Sequence, residues 1–420
     1  MKVQPLADGR IGLGVFPAAG NPPGGRAPYL PITPAMLRAN LTRFITLSGR
    51  KPAVAILYQV GYDPRGVLHF PVDLCCVCWE EFEVIPLVIQ MPAWEYEWLA
   101  RDFPDFTLQG INAGRADAVL FREAGRCRTE YRGPVIISPS WEDPNVADPN
   151  NPDDGGWPWS RNAEVIQMEA DATPLQPARA SALRGPRRLE LARREHLAQA
   201  DKSRKGRKAK ARESAAAPLS VIDLDGRPCP VGPASYVTAK RRWVDAWRQA
   251  NPDATFHHQT CAQWGGPEWV HPKYWCPGPD YCDWLGAQGA WFDLGGGATY
   301  SFEDWVKPMA AELKVVEEYA RLGWRPPWFL EIGGPETAGD PQAKARELAD
   351  VRQALASNRH GLRDRVKILE YWDDWCAVDF QGAPPWKNAG YGIDSNQHTL
   401  AAFRELVRDE QMIGSYLNVT

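Results

Sequence analysis

The chain lacks any long uninterrupted run of apolar residues. The first twenty residues, MKVQPLADGRIGLGVFPAAG, have no apolar centre of signal-peptide length. No later stretch reaches the roughly 18 apolar residues that a membrane span needs. We therefore expect cytoplasmic synthesis, no membrane partner and no classical export. If the substrate lies outside the cell, attachment to a virion or non-classical release would bring the protein to it.

The chain also carries little net charge, −4 over 420 residues with a pI near 6.0. This balance gives no electrostatic reason to expect nucleic acid as a partner. Residues 179–213 are the exception, with thirteen Lys and Arg against four Asp and Glu. A solvated insertion is the simpler interpretation of this basic segment, and contact with an acidic partner is the alternative.

Paired cysteines and regular metal motifs are missing as well. Nine cysteines is an odd number, and Cys75, Cys76 and Cys78 are too crowded to pair with one another, which favours reduced thiols. No second Cys-x-x-Cys accompanies them for zinc, and the Asp-rich loop at 143–154 lacks the ligand spacing of an EF-hand. The adjacent His257 and His258 would point to opposite faces of a strand. We expect no metal and no cofactor.

Tryptophan, by contrast, is abundant, with 19 residues in a chain that is 44% apolar. Such a composition allows a large buried core. Indole rings also offer flat apolar faces with one hydrogen-bond donor, which suits stacking on sugar rings. Core packing and sugar binding both remain open for Trp141, Trp157, Trp291 and Trp372.

Short apolar runs alternate with amphipathic stretches along the chain. The apolar runs predict eight strands, and the stretches between them predict helices, one beginning after Thr33 and another after Ser301 as N-caps. The predicted strands are residues 11–16, 52–60, 84–90, 133–142, 254–260, 281–291, 326–334 and 365–372. The predicted helices are residues 33–47, 72–82, 116–131, 235–250, 301–323, 341–356 and 397–410.

Eight strands alternating with helices favour an α/β fold of the (β/α)8 TIM barrel type. We expect strands 1 to 4 in residues 1–142, a long Asp/Pro-rich and basic insertion after strand 4 in residues 143–235, and strands 5 to 8 in residues 236–420. Active sites of such barrels lie at the C-terminal ends of the strands. Glu142, Trp291, Glu331 and Trp372 fall near such ends in the prediction.

Cleavage of a glycosidic bond requires two carboxyl groups, one to protonate the leaving oxygen and one to meet the anomeric carbon. Glu142 on strand 4 and Glu331 on strand 7 are the predicted pair. Glu370, Asp373 and Asp374, near the end of strand 8, are the reserve candidates.

Several motifs resemble glycoside hydrolase family 26, the β-mannanase-type family of clan A barrels. The stretch LQGINAGRADAVLFREAGRCRTEYRGPVIISPSWE is similar to the region leading to the family's acid/base, and WFLEIGG to its nucleophile strand. GRKPAVAILYQ, FPVDLCCVCWEE, YCDWLGAQGAW, SFEDW and YGIDSNQHTLAAFRELV follow in the family's order. The resemblance covers most of the chain outside residues 143–234.

The resemblance implies a retaining, endo-acting hydrolase of a polysaccharide, with Glu142 as acid/base and Glu331 as nucleophile. It implies sugar-binding roles for tryptophans near the site, and Tyr58 and Gln59 at the end of strand 2 are further candidates. The candidate substrate-binding residues are Trp141, Trp157, Trp159, Trp291, Trp372, Tyr58 and Gln59. Where the family has His before and Asn after its acid/base, this chain has Trp141 and Asp143.

A catalytically inactive barrel is the alternative. Such a protein would bind glycans or serve as a structural part of a larger assembly, for example a phage particle.

Overall fold

The computed structural model describes most of the chain outside a long central segment. The described residues are 1–17, 32–59, 68–90, 103–139, 220–222, 228–261, 271–290, 301–334, 336, 339–373, 392–410 and 412–420.

Eight parallel strands form one closed sheet. Each strand pairs with the next along the chain, and the last pairs with the first from Ile368↔Gly12 to Asp373↔Pro17. The strands are β1 Ile11–Pro17, β2 Val54–Gln59, β3 Ile85–Gln90, β4 Ile136–Ser138, β5 Thr255–Cys261, β6 Trp284–Ala290, β7 Trp328–Gly333 and β8 Val366–Asp373. This closed parallel barrel confirms the predicted (β/α)8 fold class.

Helices surround the barrel in the order that the sequence predicts. They are α1 Pro34–Ser48, α2 Val72–Cys76, α3 Leu108–Asn112, α4 Asp117–Arg126, α5 Val231–Ala250, α6 Phe302–Ala320, α7 Ala343–Ala356, α8 Leu362–Arg365 and α9 Gln397–Val407. Single π-helical turns, Val77–Glu81 and Cys127–Tyr131, extend α2 and α4. Short 3₁₀ turns lie at Pro104–Phe106, Pro272–Tyr274 and Arg359–Gly361. No helix in these described ranges is both long and apolar enough to cross a membrane.

The predicted N-caps are confirmed. Thr33 accepts a hydrogen bond from the Met36 N–H at 3.2 Å, with Pro34 as the first helical residue. Ser301 forms a reciprocal capping box with Asp304 at the start of α6. These side chains satisfy backbone N–H groups that have no partner inside the helix, which fixes where each helix begins.

Two hydrophobic cores result from the alternation of side chains along each strand. Outward residues pack with the helices, and inward residues fill the barrel. Most of the fully buried tryptophans, including Trp243, Trp247 and Trp328, belong to the layer between sheet and helices. Core packing therefore accounts for much of the tryptophan surplus.

The segment between β4 and β5 is described at only two places before α5. Ser220–Ile222 and Pro228–Pro230 form a short antiparallel pair, and α5 begins at Val231, earlier than predicted. The basic segment at 179–213 lies outside the described residues. The division of the chain into two half-barrels and an insertion remains a prediction.

Candidate active site

Glu331 lies in the C-terminal half of β7 and faces the barrel interior. It shares this inward face with Phe329, which belongs to the interior core. The strand continues through Ile332 and Gly333, so Glu331 lies two residues before its C-terminal end. The side chain is 2% exposed. The next inward position towards the mouth is Gly333, which places no side chain above the carboxyl group.

Gln259 on β5 orients the Glu331 carboxyl group. Its Nε2 donates a hydrogen bond to Glu331 Oε2 at 3.1 Å. The two side chains meet across β6, where the intervening inward residue is Gly286. A Cβ on Gly286 would lie 1.9 Å from Gln259 Oε1 and 2.2 Å from His257 Nε2. Glycine is therefore required at this position for the Gln259 side chain to reach Glu331.

His257 lies one inward step below Gln259 on β5. Its Nδ1 is 3.3 Å from Ser138 Oγ on β4, and its ring packs against Phe329 with 4.8 Å between centroids. Burial, with help from the charge of Lys240, lowers the pKa of His257 to about 3. His257 is therefore neutral at physiological pH and contributes a polar but uncharged side chain to the barrel interior.

His258 points the other way, as the sequence predicted. Its Nδ1 lies 2.9 Å from the buried Lys240 Nζ on α5, in the layer between sheet and helices. Burial and the charge of Lys240 lower the pKa of His258 well below its usual value. The two histidines thus share no ligand.

Glu370 on β8 faces the interior one strand away from Glu331. The two glutamates are register partners, and Gly14 of β1 is the partner of Glu370 on the other side. A Cβ on Gly14 would lie 2.9 Å from the Glu370 Cβ, so the space for Glu370 depends on that glycine. Neighbouring strands lie about 4.8 Å apart, which brings both glutamates to one level of the barrel.

The Glu370 carboxyl group is fully buried. The side chain is 0% exposed, and the backbone amide of Phe16 lies within hydrogen-bonding reach of its carboxyl group. Burial raises its pKa well above the usual range and the nearby Asp373 adds to the rise, while the backbone amide of Phe16 offsets part of it. Desolvation favours the neutral form of an acid, so Glu370 holds a proton that an exposed glutamate would lose.

Trp372 continues the inward face of β8 above Glu370. Its ring lies 5.1 Å from the Phe16 ring, centroid to centroid, at a 47° tilt, and its Cβ would be 3.0 Å from a Cβ on Gly333. The side chain is partly buried. Trp372 therefore lies at the mouth of the barrel beside Gly333, the inward position that follows Glu331 on β7.

The reserve candidates on strand 8 have different surroundings. Glu370 shares a face with Trp372, as predicted. Asp373 does not share this face. Its carboxylate accepts hydrogen bonds from the Ile393 N–H at 2.9 Å and from Arg43 at 3.2 Å. Both partners belong to the outer layer, so Asp373 faces away from Glu331 and Glu370. Asp374 lies outside the described residues.

The remaining predicted site residues are not described at the level of side chains. Tyr58 and Gln59 lie in β2 as predicted, at the end of the strand. Residues outside the described ranges are Glu142, Trp141, Trp157, Trp159 and Trp291. No group of three or more His, Cys, Asp or Glu able to hold a metal ion occurs in the described part of the chain.

Sequence reasoning gave no role at this site to several interior residues: Gln259, His257, Ser138, Gly14, Gly286 and Gly333. Such residues can be recognised in the sequence from the alternation of inward and outward side chains along each strand. On β5, Thr255, His257 and Gln259 share the inward face, an unusual polar series for a barrel interior. A polar inward series of this kind marks β5 as a candidate part of the site.

Comparison with known proteins shows the same fold. No family model matches the chain, and no curated protein matches it. A modular endo-β-1,4-mannanase of glycoside hydrolase family 26 from Cellulomonas fimi superposes with a TM-score of 0.50 at 12% identity, covering 97% of this chain and 72% of that one. A family 26 β-mannanase from Bacteroides ovatus gives 0.47 at 12% identity, covering 96% and 90%.

A mannanase from Bacillus subtilis gives a TM-score of 0.45 at 11% identity, covering 99% of this chain and 91% of that one. At 12% identity the likeness to the Cellulomonas fimi structure shows the fold alone, a (β/α)8 barrel. The described barrel has an acidic, partly polar interior towards the C-terminal ends of its strands.

Proposed function

We propose that the protein is a retaining, endo-acting glycoside hydrolase that cleaves a polysaccharide. The observation that carries this proposal is the position of Glu331, which faces inward near the C-terminal end of β7, is oriented by Gln259 and has no side chain above it at Gly333. Reacting groups of (β/α)8 enzymes occupy such strand ends.

In the proposed mechanism, Glu331 attacks the anomeric carbon and Glu142 protonates the departing glycosidic oxygen. A covalent glycosyl ester on Glu331 results. Glu142 then removes a proton from a water molecule that attacks the same carbon and releases Glu331. Retention requires the two carboxyl groups to lie about 5 to 5.5 Å apart.

The assignment of Glu142 rests on the sequence, where it follows the fourth predicted strand and resembles the acid/base position of the family. Glu142 itself lies outside the described residues. We propose substrate-binding roles for Trp372 and Tyr58, and for Trp141, Trp157, Trp159, Trp291 and Gln59 on the sequence argument.

We also propose that residues 143–235 form an insertion in a single barrel, since β4 and β5 pair directly at Ile136↔Thr255 despite the 116 residues between Ser138 and Thr255. The basic part of this insertion would then begin on the catalytic side of the barrel, where an acidic partner would meet it.

A trapping experiment tests the mechanism. The protein is incubated with activated 2-fluoro glycosides, and the labelled peptide is located by mass spectrometry. We expect the label on Glu331. A label on Glu370 would contradict the assignment of the nucleophile.

A second experiment compares turnover on a panel of polysaccharides. Glu331→Gln should lose roughly 10³-fold or more of the activity, because the amide cannot form the ester. Glu318→Gln, a change at an exposed position on α6, is the matched control and should retain activity. Equal rates for the wild type and Glu331→Gln would favour an inactive barrel.

A further inference from the structure

Four buried polar side chains follow one another across the barrel interior from β4 to β7: Ser138, His257, Gln259 and Glu331. Each of them is at most 2% exposed. His257 Nδ1 lies 3.3 Å from Ser138 Oγ, and Gln259 Nε2 lies 3.1 Å from Glu331 Oε2. The side chains of His257 and Gln259 are in hydrogen-bonding contact between these two pairs. Polar contacts therefore connect Ser138 on β4 with the proposed nucleophile on β7.

The contact between His257 and Gln259 lies in the space left by Gly286 on β6. A Cβ on Gly286 would lie 2.2 Å from His257 Nε2 and 1.9 Å from Gln259 Oε1, so both atoms approach the volume of one absent methyl group. An imidazole nitrogen and an amide oxygen are complementary only when the nitrogen carries a hydrogen. This contact therefore depends on the tautomer of His257.

The direction of these hydrogen bonds follows from the chemistry at the two ends. A nucleophilic Glu331 must be ionised, and a carboxylate only accepts hydrogen bonds, so Gln259 presents its NH2 group to Glu331. Its Oε1 then faces His257 Nε2, which must carry the hydrogen. Burial and the charge of Lys240 lower the pKa of His257 to about 3, so the ring is neutral and Nδ1 carries no hydrogen. Nδ1 therefore accepts from the Ser138 hydroxyl.

The opposite arrangement would place acceptors against each other. If Nδ1 of His257 carried the hydrogen, Nε2 would be an acceptor facing the acceptor Oε1 of Gln259. Rotating the amide would remove that conflict, but it would turn Oε1 towards the Glu331 carboxylate. Two acceptors facing each other in a buried site are destabilising. The Nε2–H tautomer of His257 therefore suits both contacts of Gln259 at once.

We propose that Ser138, His257 and Gln259 form a directed series of hydrogen bonds that holds the carboxylate of the proposed nucleophile in the orientation for attack. This inference rests on the proposed function of Glu331. Gln259 is a positioning residue that contacts the nucleophile, and His257 acts on the nucleophile through Gln259. A carboxylate that is already oriented loses less freedom when it reacts, so the series affects the chemical step more than substrate binding.

The first experiment measures the tautomer by NMR on protein labelled with nitrogen-15 at histidine. We expect the neutral Nε2–H tautomer for His257 near neutral pH, since the chemical shifts of the two ring nitrogens distinguish the protonated from the unprotonated one. The His257→Gln variant identifies the signals by their loss. Ser138→Ala should shift the Nδ1 signal, because that nitrogen then loses its donor. A charged ring or the Nδ1–H tautomer in the wild type would overturn the inference.

The second experiment measures how fast an activated 2-fluoro glycoside labels Glu331. Gln259→Leu removes the donor at similar side-chain size and should slow labelling by about tenfold to a hundredfold, the range of a hydrogen bond to a charged group. His257→Leu should also slow labelling, whereas His257→Gln keeps an N–H donor and should recover most of the rate. On a polysaccharide substrate, kcat should fall while KM stays nearly constant. His398→Gln on α9 is the control and should retain the wild-type rates.

The outcomes separate this inference from the proposed function. Thermal unfolding establishes that each variant is folded, and if Gln259→Leu does not fold, the wild-type tautomer and the two His257 variants decide. Wild-type labelling of Glu331 in folded Gln259→Leu, or equal rates for His257→Leu and His257→Gln, would overturn the inference and leave the hydrolase intact. A wild type that neither cleaves nor labels Glu331 would contradict the hydrolase, and with it the positioning role, even where the Nε2–H tautomer is found.

Discussion

The protonation of Glu370 is set by desolvation rather than by pairing. Other buried acids of the chain have partners: Glu123 accepts from Arg126 and from the Phe70 N–H, and Glu317 accepts from the Trp328 indole at 2.6 Å. Those carboxylates lie in the helix layer, where cations reach them. Glu370 lies inside the barrel, and no cation among the described residues does so. Its burial without compensation is expected where a site needs a perturbed acid.

We predict that Glu370→Gln increases stability more at high pH than at low pH. The pKa of Glu370 is raised in the folded protein from an ordinary value of 4.5, so its contribution to stability is complete below that value and is lost as the pH rises towards the folded value. Glutamine does not ionise, so the variant does not lose stability in this way as the pH rises. Thermal unfolding at about pH 4 and about pH 8 should show the gain in Tm at the higher pH.

The control for this prediction is Glu318→Gln, the same substitution at an exposed position on α6. Asp373 also has a pKa raised by burial, and its charge adds to the rise at Glu370, so the comparison reports the two acids together. A difference between wild type and Glu370→Gln that stays constant across this pH range would show that Glu370 titrates normally.

At the scale of elements, the contact between β1 and β8 depends on small residues. We predict that Gly14→Ala destabilises the protein by about 1 to 3 kcal/mol, the usual range for overpacking. The new Cβ would lie 2.9 Å from the Glu370 Cβ and 3.1 Å from its Cα, and a backbone atom moves only with the whole strand. Chemical denaturation of the variant measures the loss.

Gly125→Ala is the matched control. Gly125 lies in α4, and a Cβ there would meet no atom within 4 Å. Alanine favours a helix interior over glycine by roughly 0.5 to 1 kcal/mol, so this substitution should stabilise the protein. If both glycine variants shifted stability in the same direction, crowding at Gly14 would not be the cause.

The start of α6 provides a second prediction at this scale. Ser301→Ala should cost about 1 kcal/mol, because the Ser301 hydroxyl accepts the Asp304 N–H at 3.2 Å and alanine leaves that donor without its cap. Ser301→Thr keeps the hydroxyl and should recover most of the loss in thermal unfolding. An equally large loss of thermal stability in Ser301→Thr would show that the effect comes from packing around Phe302 instead.

The elements themselves were largely predictable from sequence because their signals are local. Thr33 and Ser301 mark helix starts, and the run from Val54 to Leu57 reads as a strand buried on both faces. Glu331 and Trp372 could be named as candidates from sequence because they lie near the C-terminal ends of β7 and β8. Gln259 could not be assigned, because its role depends on a glycine in another strand.

At the scale of the whole molecule, the two ends of the described chain meet beneath the barrel. Val3–Gln4 pairs with Asn418–Val419 in an antiparallel ladder. Lys2 forms an ion pair with Asp283 at 3.0 Å, just before β6. Leu6 and Leu417 belong to the same hydrophobic cluster as the interior strands, so this strand pair closes the end opposite the candidate active site.

The packing at this closed end predicts that Leu417→Ala lowers the free energy of unfolding strongly and that Leu322→Ala leaves it almost unchanged. Leu417 is 6% exposed and packs beside Gly12, where a Cβ would lie 2.8 Å from Leu417 Cδ2, so Leu417→Ala should open a cavity and cost about 2 to 3 kcal/mol. Leu322 is 88% exposed, and Leu322→Ala should change the free energy of unfolding by less than about 0.5 kcal/mol. Denaturant unfolding of the two variants measures the difference. Equal effects would mean that the chain ends contribute little to the barrel, and the closed sheet alone would then account for its stability.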